Sequence, residues 1–281
     1  MPAVIEILRG RERVFGLTLL HDNLFVLRAN CIEVYSTNPE YTFLHRLRVD
    51  GLTSHEWNDL TSSVVHSCLY VADCAAKMIR AVQLEGPVRM WSVPDCPCGV
   101  SVTPDDDTLL VTCADTRQLV ELSLYGGDWL RHVNLSSDIQ RPLHAIKLTS
   151  GNYVVSHSCA RGLPGQHRVC VVDSMGNTLL SYGSGLRQLD WPCHMSIANG
   201  EFVFVADSSN NRIVLMSPTM QPVRAYVESL SHPRRLHLER DTRRLYVAEL
   251  GGRVVAIQFI DSPNFRPPAQ QLASRFAQCS A

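Results

Sequence analysis

The chain of 281 residues has no apolar run approaching the roughly 18–20 residues of a membrane-spanning helix, so no membrane partner is expected. Net charge is also missing. The 26 basic and 27 acidic side chains leave −1, which excludes a global basic field for nucleic acid or an anionic bilayer. Lysine is nearly absent: Lys77 and Lys147 are the only two among the 26 basic residues. Codon bias accounts for that preference, or arginine is favoured for planar stacking and bidentate contacts. The first residues, MPAVIEILRGRERV, carry Glu6 early and lack the long apolar stretch of a signal peptide. No Gly-x-Ser-x-Gly elbow occurs, and GSG at 183–185 reads as a turn. The ten cysteines are scattered through a core-forming chain rather than framing a small secreted fold. Cys68, Cys113 and Cys170 sit in or beside apolar stretches, where a thiol acts as a small hydrophobe. The expectation is a reduced, cytoplasmic protein.

What is present is a repeat. VFVADSSNNRIVLMSP (203–218) is a β-run, a polar turn and a second β-run, and the pattern recurs at 24–36, 69–84, 109–124, 153–174 and 245–259. The central valines Val26, Val71, Val111, Val155, Val205 and Val247 are spaced at the 40–50 residues of propeller blades. Apolar residues alternate, as in strands, and do not follow helical spacing. A further strand precedes most hairpins (GLTLL, GVSVTP, LHAIKLT, HMSIA, RRLHLE) and another follows, giving four antiparallel strands per blade. The last blade lacks one strand, and AVIEILRG (3–10) is left over to close it. The sequence therefore predicts one all-β domain over 1–260, a six-bladed β-propeller closed by its N-terminal strand. Residues 261–281 are expected to form a tail with a short helix.

The repeats resemble NHL repeats, as in the propellers of tripartite-motif proteins. The fifth repeat matches most fully, with Pro192, HMSIA, VFVAD and Asn211-Arg212-Ile213. Asp73, Asp207, Asn211, Arg212 and Glu249 fall on this motif and are assigned structural roles. Asp207 closes a turn by accepting backbone N–H groups, and Arg212 returns to that acid or to the neighbouring blade. The resemblance is specific for the fold and weakly specific for function; some NHL propellers bind RNA and others bind proteins through one loop face.

Three constellations test for chemistry. His144 and His194 each lie two residues after a proline at the start of an inner strand. The chain also resembles, at fold level, the amidating-lyase propellers, where histidines on inner strands hold zinc. In that family the ligand directly follows the proline, whereas here those positions are Cys98, Leu143, Cys193 and Arg234. Cys98, Cys193, His144 and His194 converge on a metal only if strand alternation is broken. A lactonase-type cation site needs channel carboxylates or amides. None occupies the first two positions after these prolines, although Asp95 and Asp190 lie two residues before Pro97 and Pro192. TPDDD (103–107) reads as a charged hairpin turn.

The remaining candidate is the loop face carrying Arg13, Trp57, Arg117, Arg141, Trp191, Arg212, Arg234, Arg235 and Arg253, with His157, Arg161 and His167 from the long fourth-blade connection. Arginine interleaved with aromatic rings suits single-stranded RNA or a protein partner. The expectation is a monomeric binding module without catalysis or cofactor. Its alternative is a metal-dependent propeller enzyme, lactonase-like or amidating-lyase-like.

Overall fold

The computed structural model describes residues 3–10, 12–38, 40–159, 166–183, 188–228 and 230–258. Six four-stranded antiparallel sheets follow one another along the chain. Blade one is β2–β5 (16–48), blade two β6–β9 (59–92) and blade three β10–β13 (97–134). Blade four is β14–β17 (141–182) and blade five β18–β21 (192–228). Blade six combines β22–β24 (233–258) with β1 (Ala3–Leu8), and the order β1-β24-β23-β22 makes the N-terminal strand its outermost member. The pairing runs from Ala3 opposite Gln258 to Leu8 opposite Val254. The six-bladed closure read from the sequence is therefore the observed one. The 261–281 tail and its helix lie outside the described residues. Among the described residues no helix is long and apolar enough to cross a membrane.

Burial explains the sequence pattern of each strand. The second and third strands of a blade are covered on both faces: β7 (Cys68–Asp73) and β11 (Thr108–Cys113) are buried at every position. Such strands read as nearly continuous apolar runs. The outermost strands, such as β13 (Trp129–Asn134), are mostly exposed and mix Arg, His and Asn with apolar residues. The core lies between blades: Tyr70, Ile79 and Trp91 of blade two pack on Val100, Val111 and Val120 of blade three. Each such side chain contributes about 1.5–3 kcal/mol on burial.

The motif acids and arginines staple this ring. Arg80 Nε donates to Asp73 at 2.7 Å, and its other nitrogens donate to the Asp50 and Gly51 carbonyls, both at 2.9 Å, in the linker from blade one. Arg212 repeats this in blade five, donating to Asp207 at 2.7 Å and to the Gln188 carbonyl. Arg28 of blade one reverses the order, pairing with Glu33 at 2.8 Å and reaching the Glu12 carbonyl at 2.6 Å. In blade six Arg253 joins Glu249 at 3.2 Å to Glu6 of the closing strand at 2.9 Å. Asn211 holds a left-handed backbone (φ 55°), which Asn tolerates, and its Oδ1 accepts the His232 amide at 2.9 Å. The all-reduced expectation is corrected at one pair, because Cys74 and Cys96 are joined as a disulfide.

Candidate active site

Six inner strands surround the central channel: β2 (Gly16–Leu20), β6 (Asp59–Ser63), β10 (Pro97–Val102), β14 (Arg141–Lys147), β18 (Pro192–Ile197) and β22 (Pro233–Glu239). Four of them share one device. The register slips after Pro97, Pro142, Pro192 and Pro233, so an extra residue bulges out beside each proline. Proline supplies no ladder donor, and a bulge re-aims the side chain that follows. Alternation is thus broken just where convergence required it. The residues two beyond each proline, Gly99, His144, His194 and Arg235, meet with Asp59 of blade two at the upper end of the channel, the end beside the loop face that carries Trp57 and Arg234.

Distances define the cluster. Asp59 is fully buried and accepts the Val100 amide on Oδ2 at 3.0 Å. His194 Nε2 lies 3.4 Å from the same oxygen, and His144 Nε2 lies 4.0 Å from it. Arg235 Nε stands 3.0 Å from Asp59 Oδ1 but aims its hydrogen at the Phe15 carbonyl, 2.7 Å away. A second Arg235 nitrogen donates to the Asn58 carbonyl at 2.6 Å. The two imidazoles stack with centroids 3.8 Å apart. His194 Nδ1 accepts the Leu236 amide at 3.3 Å, which assigns its proton to Nε2, facing Asp59. Neither nitrogen of His144 has a hydrogen-bond partner, although the residue is 1% exposed. Gly99 makes room for it, since a Cβ there would lie 2.7 Å from the Leu143 carbonyl and 3.0 Å from His144 Cα.

Burial alone would push the pKa of Asp59 up, but Arg235, then His194 and His144, outweigh it and hold the carboxylate ionised far below the usual range. Burial drives His144 well below the ordinary imidazole value, with His194 and Arg235 adding to it against Asp59. Burial likewise lowers His194, against the pull of Asp59. The cluster is therefore a neutral Asp59–Arg235 ion pair beside two neutral imidazoles. It closes the top of a cavity of about 580 Å³, lined by Leu17, Val100, His144, His194, Leu236 and His237 among others. At the lower mouth Asp22, Asp106, Glu239 and Asp241 outnumber Lys147 and Arg240.

Asp59, His144 and His194 bring their ligand atoms within 4.8 Å of one another, so a metal needs testing here. The arrangement does not suit a dication. The Arg235 cation, 3.0 Å from Asp59 Oδ1, already compensates the one carboxylate among the three ligands. An added dication would leave buried positive charge without a partner. Cys98 and Cys193, the other sequence candidates, turn away: Cys98 donates to the Thr112 and Pro142 carbonyls at 3.3 and 3.2 Å, and Cys193 to the Trp191 carbonyl at 3.3 Å.

The loop-face candidates divide. Trp57, Arg141, Trp191, Arg234 and His167 come together on the upper face. The Arg141 and Arg234 guanidiniums stand 4.8 and 5.8 Å from the Trp57 ring, Trp57 is 6.2 Å from Trp191, and His167 is 6.0 Å from Trp191. Arg13 and Arg117 are exposed. Arg161 lies outside the described residues. Two assignments are corrected. Arg235, 4% exposed, belongs to the channel cluster because the bulge turns it inward, and His157, 1% exposed, is an interior residue of β15 (Tyr153–Ser158). Asp59 is not legible from the sequence. NDLTSS lacks both the proline and the apolar alternation of the other inner strands, and only the blade period would have located it.

No protein-family model and no curated protein matches this chain. Solved structures do. Hydrazine synthase of Kuenenia stuttgartiensis superposes with a TM-score of 0.66 at 12% identity, covering 90% of this chain and 97% of that one. Virginiamycin B lyase from Staphylococcus aureus gives 0.62 at 10% identity, covering 92% and 99%. A catalytically inactive histidine-to-alanine variant of that lyase, with quinupristin, gives 0.63 at 12% identity, covering 92% and 100%. The expectation of a non-catalytic recognition module is corrected by these comparisons, because the structures just described are named as enzymes rather than as binding modules. At such identities the likeness itself establishes the fold, a six-bladed β-propeller.

Proposed function

We propose that this chain is a propeller enzyme that catalyses an elimination, a lyase-type reaction, with His144 as general base at the closed end of the channel. The observation that carries the reading is the buried, neutral His144 with both nitrogens unpartnered beside a cavity. A buried polar group left without a partner costs roughly 1–3 kcal/mol, a cost that a role toward a ligand would explain. A cavity of about 580 Å³ is of the size that holds a small organic ligand. The excess of carboxylates at its mouth favours an uncharged or cationic substrate over an anionic one. The lyase named above, inactive without one histidine, supports the reaction class.

In the tautomer this role requires, His144 carries its proton on Nε2, 4.0 Å from Asp59 Oδ2, and its lone pair on Nδ1. It takes the proton from a carbon beside an acyl group. The C–H electron pair becomes the new double bond, and the leaving group on the next carbon departs with its own bonding pair. Asp59, held ionised by Arg235, stabilises the imidazolium so formed. His194 keeps the carboxylate oriented by donating Nε2–H to it. The kinship of the repeats to NHL repeats is a separate proposal, supported by the pairs Asp73–Arg80 and Asp207–Arg212 at matching blade positions.

The test is turnover of quinupristin and of a panel of β-substituted esters and lactones, followed by chromatography. The parent is expected to convert at least one compound. His144→Ala should lose about 10²–10⁴-fold in rate while retaining its melting transition. No conversion across the panel, or equal conversion by the folded variant, would overturn the assignment.

A further inference from the structure

A second constellation of ligating atoms lies on the upper face, apart from the channel. His55 is on the linker from blade one to blade two, Cys74 on the central turn of blade two, and Cys96 on the linker from blade two to blade three. Their Nε2 and two Sγ atoms all fall within 4.8 Å of one another, with His55 Nε2 3.9 Å from Cys74 Sγ. Nothing in the elimination reading uses them.

We infer that, once the Cys74–Cys96 disulfide is reduced, these three side chains form a redox-gated site for a thiophilic dication of the zinc class. Tetrahedral zinc with Zn–N of about 2.0–2.1 Å and Zn–S of about 2.3 Å sets nitrogen and sulfur ligands about 3.6 Å apart. The His55–Cys74 separation is already close to that. The two sulfurs must move apart from bonding distance, which rotation about the Cα–Cβ bonds provides once the S–S bond is gone. The turn that carries Cys74 is independently fixed, because its amide donates to Asn58 Oδ1 at 3.1 Å. Asn58 Nδ2 in turn donates to the Thr53 carbonyl at 2.7 Å, so the His55 linker and the Cys74 turn are braced together without help from the disulfide. Cys96 is half-buried, so this end of the disulfide does not lie in the sealed core. Three protein ligands leave a fourth position for water.

The chemistry balances with an external dithiol or phosphine as reductant. A dithiol attacks one sulfur of the disulfide, takes up the S–S linkage and leaves two cysteine thiols. Metal binding then releases two protons, one from each thiol, and draws on the His55 lone pair. To ligate through Nε2, His55 must carry its proton on Nδ1. It then gives up only the long 3.4 Å contact in which Nδ1 accepts the Trp57 amide. In the oxidised protein neither sulfur is a thiolate, so the site is closed.

Cobalt(II) titration of the full chain tests this, with zinc competition read by a chromophoric chelator. Protein reduced by a phosphine, then freed of it, is expected to bind one equivalent of cobalt with thiolate charge-transfer absorption. The oxidised protein, Cys74→Ser and Cys96→Ser should each bind at least about 100-fold more weakly, since thiolates supply the affinity. His55→Ala, with both cysteines intact, should keep the charge-transfer band but bind about tenfold or more weakly. Equal uptake by oxidised protein or by the folded serine variants would overturn the proposal. So would failure of the reduced protein to bind while both thiols alkylate. An unchanged affinity in His55→Ala would remove His55 from the site, and this variant remains decisive if the serine variants do not fold.

Discussion

Arg235 Nε stands 3.0 Å from Asp59 Oδ1, joining blade six to blade two past the start of blade one. Both side chains are at most 5% exposed, so removing either partner strands a buried charge. Arg235→Met and Asp59→Leu are each expected to cost about 3–5 kcal/mol, whereas the double variant should cost far less than their sum. Denaturant unfolding of the cycle checks this. Additive losses would show that the pair does not interact.

Gly99 of blade three packs directly against His144 of blade four. Gly99→Ala places a methyl 2.7 Å from the Leu143 carbonyl and 3.0 Å from His144 Cδ2. The expected cost is about 1–3 kcal/mol, with turnover falling further than stability because the base is displaced. A variant with normal melting and normal turnover would place the reaction elsewhere.

Acid should weaken the fold through its buried histidines. Burial, then Arg168 and His167, push His157 down to about 4, against Asp138. Because the folded value lies below the unfolded one of about 6.5, the unfolded chain takes up the proton first. The stability is complete above about pH 6.5 and is lost progressively between there and about 4, by about 3 kcal/mol for this residue. Melting of His157→Phe across that window should fall less steeply than that of the parent. Parallel profiles would refute the assignment.

The ring is closed by β1, and Ile7 and Leu8 pack against the core between blades six and one that includes Val254, Ala256, Leu17 and Val26. Deleting residues 1–10 bares the edge of β24 and should lower Tm by more than about 5 °C, with aggregation on heating. Differential scanning calorimetry reads this directly. An unchanged transition would mean that closure contributes nothing.

Arg80 and Arg212 occupy matching staples but differ in burial, with side chains 7% and 24% exposed. Arg80→Met should therefore cost about 3–5 kcal/mol, and Arg212→Met clearly less. The reverse order in chemical denaturation would show that blade position, not burial, sets the energy of the staple.

The sequence by itself determined the blades. Val71, Val205 and their counterparts recur because each blade must bury the same two strands, and a local pattern of period two records that burial directly. Closure by AVIEILRG was legible for a related reason, since one strand was missing at one end and one was spare at the other. The channel was not legible. His144 and His194 could be noticed, but alternation set them aside, and only the bulge beside each proline turned them inward. Arg235 looked like a surface residue next to Arg234, and Asp59 sat in a strand too polar to recognise. Their meeting depends on register shifts in four blades and on the curvature that brings blade six round to blade two. A linear sequence carries the side chains of such a site, but their convergence is a property of the closed ring.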